Sequence, residues 1–422
     1  MYIKKRDETK VNLSQIAIYI YLINAICKYF LPNFLTKIFP VFALMFLIFT
    51  ASKPLKIKLL KIDKPFVIFG VLWFLGCLYS PDITKGLGYV LSFVVAFLVS
   101  VYSSKRQIND TGVMKLITIM CFVLTAFIII QPIEPTIVSD INHIFNYKVE
   151  EYSLMQAWTR NGWYSGLFPD RAPAAFFAVL LLGSGLYYLY FNKKNSGSFV
   201  SRFFGFGIAI IGVYGILMTA KRGLLVGAFI AAFVSYIVYR KANHTPVIKI
   251  CIASIIVVSF SLVLFSQLSV TENMLIRFID NDNLFTNRLD IYAIIFKKFG
   301  SSPFIGTGTA SAFSLLGIGG HNIYLTVLME NGIIGFIAFV SAIVYSIGCS
   351  ISLAMKIGKS GLYKELPFLL FALYIQIFFM IYGMSGNPLY DNYILYFYIF
   401  TLMICKNIEF TFKSEIKERV RK

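Results

Sequence analysis

The stretch "GGHNIYLTVLMENGIIGF" at 319–336 sets His321, one of three histidines in the chain, beside Asn322 at the edge of a long apolar run. After nine more residues the run holds Gly332 and Gly335 as Gly-x-x-Gly. An imidazole with an ordinary pKa of about 6.5 can take a proton from a hydroxyl near neutral pH. A neighbouring carboxamide can orient that ring or bind a hydroxylated ligand. The bland alternative is a structural helix-end histidine above two glycines that pack or kink a helix. Glu330 is harder to dismiss. A carboxylate inside an apolar run requires a partner, and the expected one is an Arg or Lys from a neighbouring loop.

Two other segments carry cations where apolar spans end. "MTAKRGLLVG" at 218–227 places Lys221 and Arg222 in an almost absent loop between two apolar runs. A side chain there can snorkel to the interface as a plain anchor. The forked guanidinium also suits a phosphate, with Gly223 leaving room for a ligand. Arg288 stands in "FTNRLDIYAIIFKKFGSSPFIGTG", where 289–296 has an amphipathic look suited to a membrane surface. Its plain alternative is an ion pair with Asp290 or Asp282, and Lys297 and Lys298 are placed at headgroups. Arg160 and Arg171 lie in a stretch with Trp158 and Trp163 and are further candidates for phosphate or sugar contact.

The elements that must position these groups are transmembrane helices. The 422-residue chain is 58% hydrophobic, 17% aromatic and 14% charged, with a mean hydropathy of +0.74. A soluble chain carries nearer a quarter charged residues. A span needs about 20 mostly apolar residues, and these long runs satisfy their backbones in lipid only as helices. The expected fold is all-α: one integral membrane domain over 1–422, a polytopic bundle of about twelve spans. The spans are expected near 14–31, 38–52, 65–80, 87–103, 114–131, 172–191, 202–220, 223–239, 247–267, 323–353, 365–384 and 388–405. The tenth is long enough to contain a break at Asn331-Gly332.

With the N-terminus in the cytoplasm, most of the 39 Lys and Arg residues fall in inside segments, as cytoplasmic loops require. Both termini are then cytoplasmic, and 406–422 reads as a basic tail. Two long loops, roughly 132–171 and 268–322, face outward, the usual place for function on a rigid scaffold. The net charge of +19 is explained by that bias and points to anionic lipid rather than nucleic acid. The basic start followed by the first span reads as an uncleaved anchor. The six cysteines show no CxxC pattern and read as packing residues, not as a zinc or disulfide framework.

Together these segments resemble the O-antigen ligase and O-antigen polymerase superfamily over about 160–345. "HNIYLTVLMENGIIG" is similar to that family's His, Asn/Ser/Gln, nine residues, Gly-x-x-Gly pattern. "TAKRG" resembles its Thr-x-Ser-Arg segment, with Lys221 where Ser is common and Val226 where Leu is frequent. "NRLDIYAIIFKKFGSSPFIGTGTA" resembles the Arg–aromatic–Pro-hydrophobic-x-Gly-x-Gly stretch before the histidine, and "GLFPDRAPAAFFAVLLLG" its Gly-hydrophobic-Phe entry to a span.

The resemblance implies a GT-C-like helical scaffold in the bacterial cytoplasmic membrane. It implies transfer of a glycan from polyprenyl diphosphate to an acceptor sugar or lipid hydroxyl at the outer face. His321, Arg222 and Arg288 would be the catalytic set, with Asn322, Lys221, Arg160 and Arg171 binding substrate. No metal or cofactor is expected. Membrane lipids, and a chain-length regulator or flippase, are the partners it implies. Polymerase is favoured over ligase. Transport is the alternative class, weakened by span centres nearly free of charge and by the absence of an inverted repeat. A structural scaffold leaves the His-Asn and Arg positions unexplained.

Overall fold

The computed structural model describes residues 13–50, 59–104, 108–145, 149–191, 199–244, 288–317 and 319–420. Those residues form fifteen α-helices and no strand. The helices are α1 (Leu13–Cys27), α2 (Asn33–Phe49), α3 (Lys64–Cys77), α4 (Ile83–Tyr102), α5 (Asp110–Ile130), α6 (Pro135–Ile144), α7 (Val149–Arg160), α8 (Arg171–Leu189), α9 (Phe199–Met218) and α10 (Arg222–Ala242). Beyond residue 287 follow α11 (Arg288–Ser301), α12 (Ser311–Leu316), α13 (Ile323–Ser360), α14 (Leu366–Tyr382) and α15 (Asn392–Val420).

By length and composition α4, α5, α8, α9, α10, α13, α14 with the turn before it, and α15 can each cross a membrane; α1 and most of α2 are shorter apolar helices. The protein is a polytopic helical membrane bundle. Each expected span coincides with one of these helices except 247–267, which lies outside the described residues, as do Asp282 and Cys251.

Short polar residues start the helices. Asp82, Asn109 and Asp170 each accept a backbone N–H from the first turn of α4, α5 and α8, at 2.9, 3.0 and 3.3 Å, satisfying donors that a helix start leaves open. The centre of the bundle is α8, α14 and α15, whose apolar windows are 78%, 83% and 83% buried, against 33% for α9 and α10. Helix α9 comes close to α8 because glycines meet there. A Cβ on Gly185 would lie 2.6 Å from the Ala209 nitrogen, and one on Gly212 would lie 2.6 Å from that of Leu182.

Three expectations change. The two long loops expected to face outward are partly helical: 132–171 contains α6 and α7, and the described part of 268–322 contains α11 and α12. Residue 406 does not begin a tail. α15 runs on to Val420, and Lys406 is fully buried, donating to Asp63 at 2.9 Å. The end of an apolar run marks where charge begins; it does not mark where a helix leaves the bundle when a buried carboxylate receives that charge.

Glu330 has no cationic partner among the described residues. Its carboxylate, 0% exposed, accepts the Ala312 N–H at 3.0 Å and the Tyr390 hydroxyl. The reason lies in α13, which breaks at Gly332 with φ 62° and ψ −170°. The "PFIGTG" segment docks into the break. Thr307 N–H donates to Met329 O at 2.9 Å, Gly308 N–H to Glu330 O at 2.8 Å, and Ile333 N–H to Pro303 O at 2.9 Å. Irregular backbone inside a bundle survives only where protein satisfies it, and here each chain supplies the other's missing bonds. A Cβ on Gly332 would overlap the Phe304 carbonyl, and one on Gly306 the Glu330 carbonyl.

Candidate functional site

At one end of the bundle a cavity of about 510 Å³ is walled by five regions distant in sequence. These are the start of α8, the α9–α10 connection, the start of α11, the turn before α13, and the α14–α15 loop; Tyr29 adds to them from beyond α1.

The α9–α10 connection is as short as its sequence implies. Ala220 takes a left-handed φ of 53°, Lys221 caps α10, and Arg222 is its first residue. The α10 N-terminus therefore opens on the cavity with a guanidinium beside it, and both the helix dipole and the cation favour an anion. Lys221 pairs with Asp170 at 3.6 Å, across side chains 29% and 49% exposed. Arg288 enters from the first residue of α11, and no ion pair joins it to Asp290 among the described residues.

His321 stands in a turn with φ 51°, a left-handed conformation that histidine adopts more readily than most residues. The turn is pinned on its far side, where Ile323 N–H donates to Gly383 O at 2.9 Å and to Gly386 O at 3.1 Å. Burial at the cavity wall, then the charges of Arg288 and Lys221, lower the His321 pKa below its ordinary 6.5. The ring is therefore neutral at neutral pH and able to accept a proton.

The cavity thus gathers His321, Arg222, Arg288, Lys221 and Arg171. Arg171 is 8% exposed and lies between Trp158 and Trp163, with ring centroids 5.0 and 4.5 Å from its guanidinium carbon. Its Nη1 donates to Thr219 O at 3.5 Å. It stiffens the wall under the α9–α10 connection as well as lining it. Asn322 is the N-cap of α13: its Oδ1 accepts from Tyr324 N at 3.1 Å and Leu325 N at 3.2 Å, and it is not among the lining residues. Arg160 lines a different cavity.

Sequence reasoning missed Asp391 and Asn387, both on the α14–α15 loop and both lining the cavity. Burial raises the Asp391 carboxyl to about 7, against the opposing charge of Lys28, with Asp170 raising and Lys221 lowering it further. Asn387 Oδ1 is buried without a hydrogen-bond partner among the described residues. The available signal was "NPLYDNY" at 387–393, polar residues at the end of the last apolar run that the charge pattern assigns to the same side as His321.

The described helices form a membrane bundle with a cationic cavity, lined also by His321, at one end. The family model described as O-antigen ligase matches residues 207–340, a match consistent with the O-antigen ligase and polymerase superfamily. The matched residues include Arg222, Arg288 and His321. A search of curated proteins finds no match.

Proposed function

We propose that the protein is a polymerase of lipid-linked polysaccharide repeat units. It joins a glycan carried on polyprenyl diphosphate to an acceptor sugar hydroxyl at the outer face of the cytoplasmic membrane. The observation that carries this reading is the convergence of Lys221, Arg222, Arg288 and His321, from three separate regions, on one cavity.

The acceptor hydroxyl attacks the anomeric carbon, and the bond from that carbon to the diphosphate oxygen breaks. The hydroxyl proton passes to the neutral His321 ring. Negative charge grows on the departing diphosphate, where fixed cations are worth most because they need no reorganisation. Arg222, Arg288 and the α10 N-terminus face that charge, so the step needs no metal. The Lys and Arg bias supports an outer-face position for the cavity.

The test is purified protein in lipid, supplied with a polyprenyl-diphosphate-linked repeat unit, with products resolved by length. A ladder of multiples with released lipid diphosphate is the expected outcome. Transfer only when a lipid A-core acceptor is added would make the protein a ligase. Neither product would return it to the transport reading.

A further inference from the structure

A second cavity, of about 470 Å³, lies between the end of α5 and the helices α6 and α7. It is joined to the first by structure. Gln131, which lines it, accepts the Ser165 and Gly166 N–H groups at 3.0 and 2.8 Å with its Oε1, and so holds the segment that leads into α8. Trp158 of α7 stacks on Arg171, which lines the first cavity. One helix therefore stands between the two.

The lining chemistry differs from that of the first cavity. Ser139, Asn142 and Gln156 supply a hydroxyl and amides, Tyr152 a ring, and Arg160 the single cation among the described lining residues, while the Gln131 amide is spent inside the protein, its Nε2 donating to Thr159 Oγ1 at 3.1 Å. Asn142 is 1% exposed. Its Nδ2 donates to Gly166 O at 3.2 Å, which fixes the amide, and its Oδ1 is buried with no hydrogen-bond partner among the described residues. A buried acceptor without a donor is destabilising, so a donor from a ligand that reaches it has a defined place to go. A diphosphate would want more than one cation. An acyl chain would want a continuous apolar wall, which these amides interrupt. Hydroxyl donors and acceptors on a body with apolar C–H faces, which a tyrosine ring can stack against, are the chemistry of a sugar.

We propose that this second cavity is an oligosaccharide subsite that holds the acceptor glycan one or more sugars away from the reacting hydroxyl. The proposal rests on the transfer reading above.

Two arms separate its failure from that of the transfer reading. The first is binding alone: soluble oligosaccharides of one to four repeat units, released by mild acid from the host polysaccharide, titrated onto the full-length protein in nanodiscs and followed by tryptophan fluorescence. Saturable binding is expected in the wild type, weakened about tenfold or more by Ser139→Phe, which fills the cavity. The exposed Gln156→Ala keeps the test valid if Ser139→Phe fails to fold, and should weaken binding by a few-fold. The second arm is transfer, where both variants should raise KM for the acceptor while leaving KM for the lipid-linked donor unchanged. Absence of binding in the wild type, or binding indifferent to both folded variants, overturns the subsite whatever the transfer result. A wild type that binds but transfers nothing overturns the transfer reading and, with it, the acceptor role, leaving an oligosaccharide-binding site.

Discussion

The bundle holds its cations in two different ways. Lys406, deep in α15, is 0% exposed and meets Asp63 at 2.9 Å, while Leu60 N–H donates to the other carboxylate oxygen at 2.8 Å. Lys221, at the cavity, lies 3.6 Å from Asp170, with both side chains partly exposed, and Arg222 and Arg288 line the same open volume. The first arrangement is closed. Its charge is matched inside the protein, and it ties the segment before α3 to the last helix. The second leaves room, and excess positive charge, for something to enter. Where a charge lies inside a membrane protein decides little by itself; whether it closes an ion pair in the core or lines an open volume decides more.

That contrast can be broken most severely at the cavity. His321→Ala should reduce transfer roughly a hundred- to ten-thousandfold while leaving the thermal melt of the purified protein unchanged; retained activity in that variant would remove His321 as the base. Lys406→Ala should do the reverse. Leaving Asp63 buried and unpaired costs about 3–5 kcal/mol, seen as a lower melting temperature and less monodisperse protein on size exclusion, with turnover per folded molecule little changed. Gly332→Ala tests the break between these regions. A side chain at positive φ costs about 1–3 kcal/mol, and the overlap with the Phe304 carbonyl adds to it, so the melt should fall and activity with it.

The smallest effect is a shift in a pH profile. A base must be deprotonated, so transfer should fall as pH drops through the His321 pKa. That pKa is lowered, so the acid limb should lie below pH 6.5. Lys221→Ala removes one of the charges that lower it, and the limb should move upward. A limb that stays put, in a folded and active variant, would mean that another group is the base. Asp391 would be the first to examine, since burial pushes its carboxyl up to about 7 in the same cavity.

Much of this was legible in the chain. Apolar runs of sufficient length become helices because lipid offers their backbones no other partner, and every run that falls among the described residues did so. The position of the break in α13 was legible too, as Asn331-Gly332. Its cause was not. Nothing in "PFIGTG" says that its N–H groups fill the gap left at Met329 and Glu330, and so a loop cation looked like the natural partner for Glu330. Asn322 illustrates the same limit on a smaller scale. A residue suited to bind sugar is equally suited to cap a helix, and the start of α13 uses it for the cap.

The sequence by itself determined the helices, the end of the bundle at which the unusual cations gather, and the residues with the right chemistry, because hydropathy, charge bias and side-chain type are local properties. Tertiary structure decided the rest. It brought positions 222, 288 and 321 to one cavity with Asp391, withdrew Lys406 into an ion pair, and turned Arg171 into a wall held by two tryptophans. The physical reason is that the fate of a charge depends on what else arrives beside it, and those partners come from segments tens to hundreds of residues away.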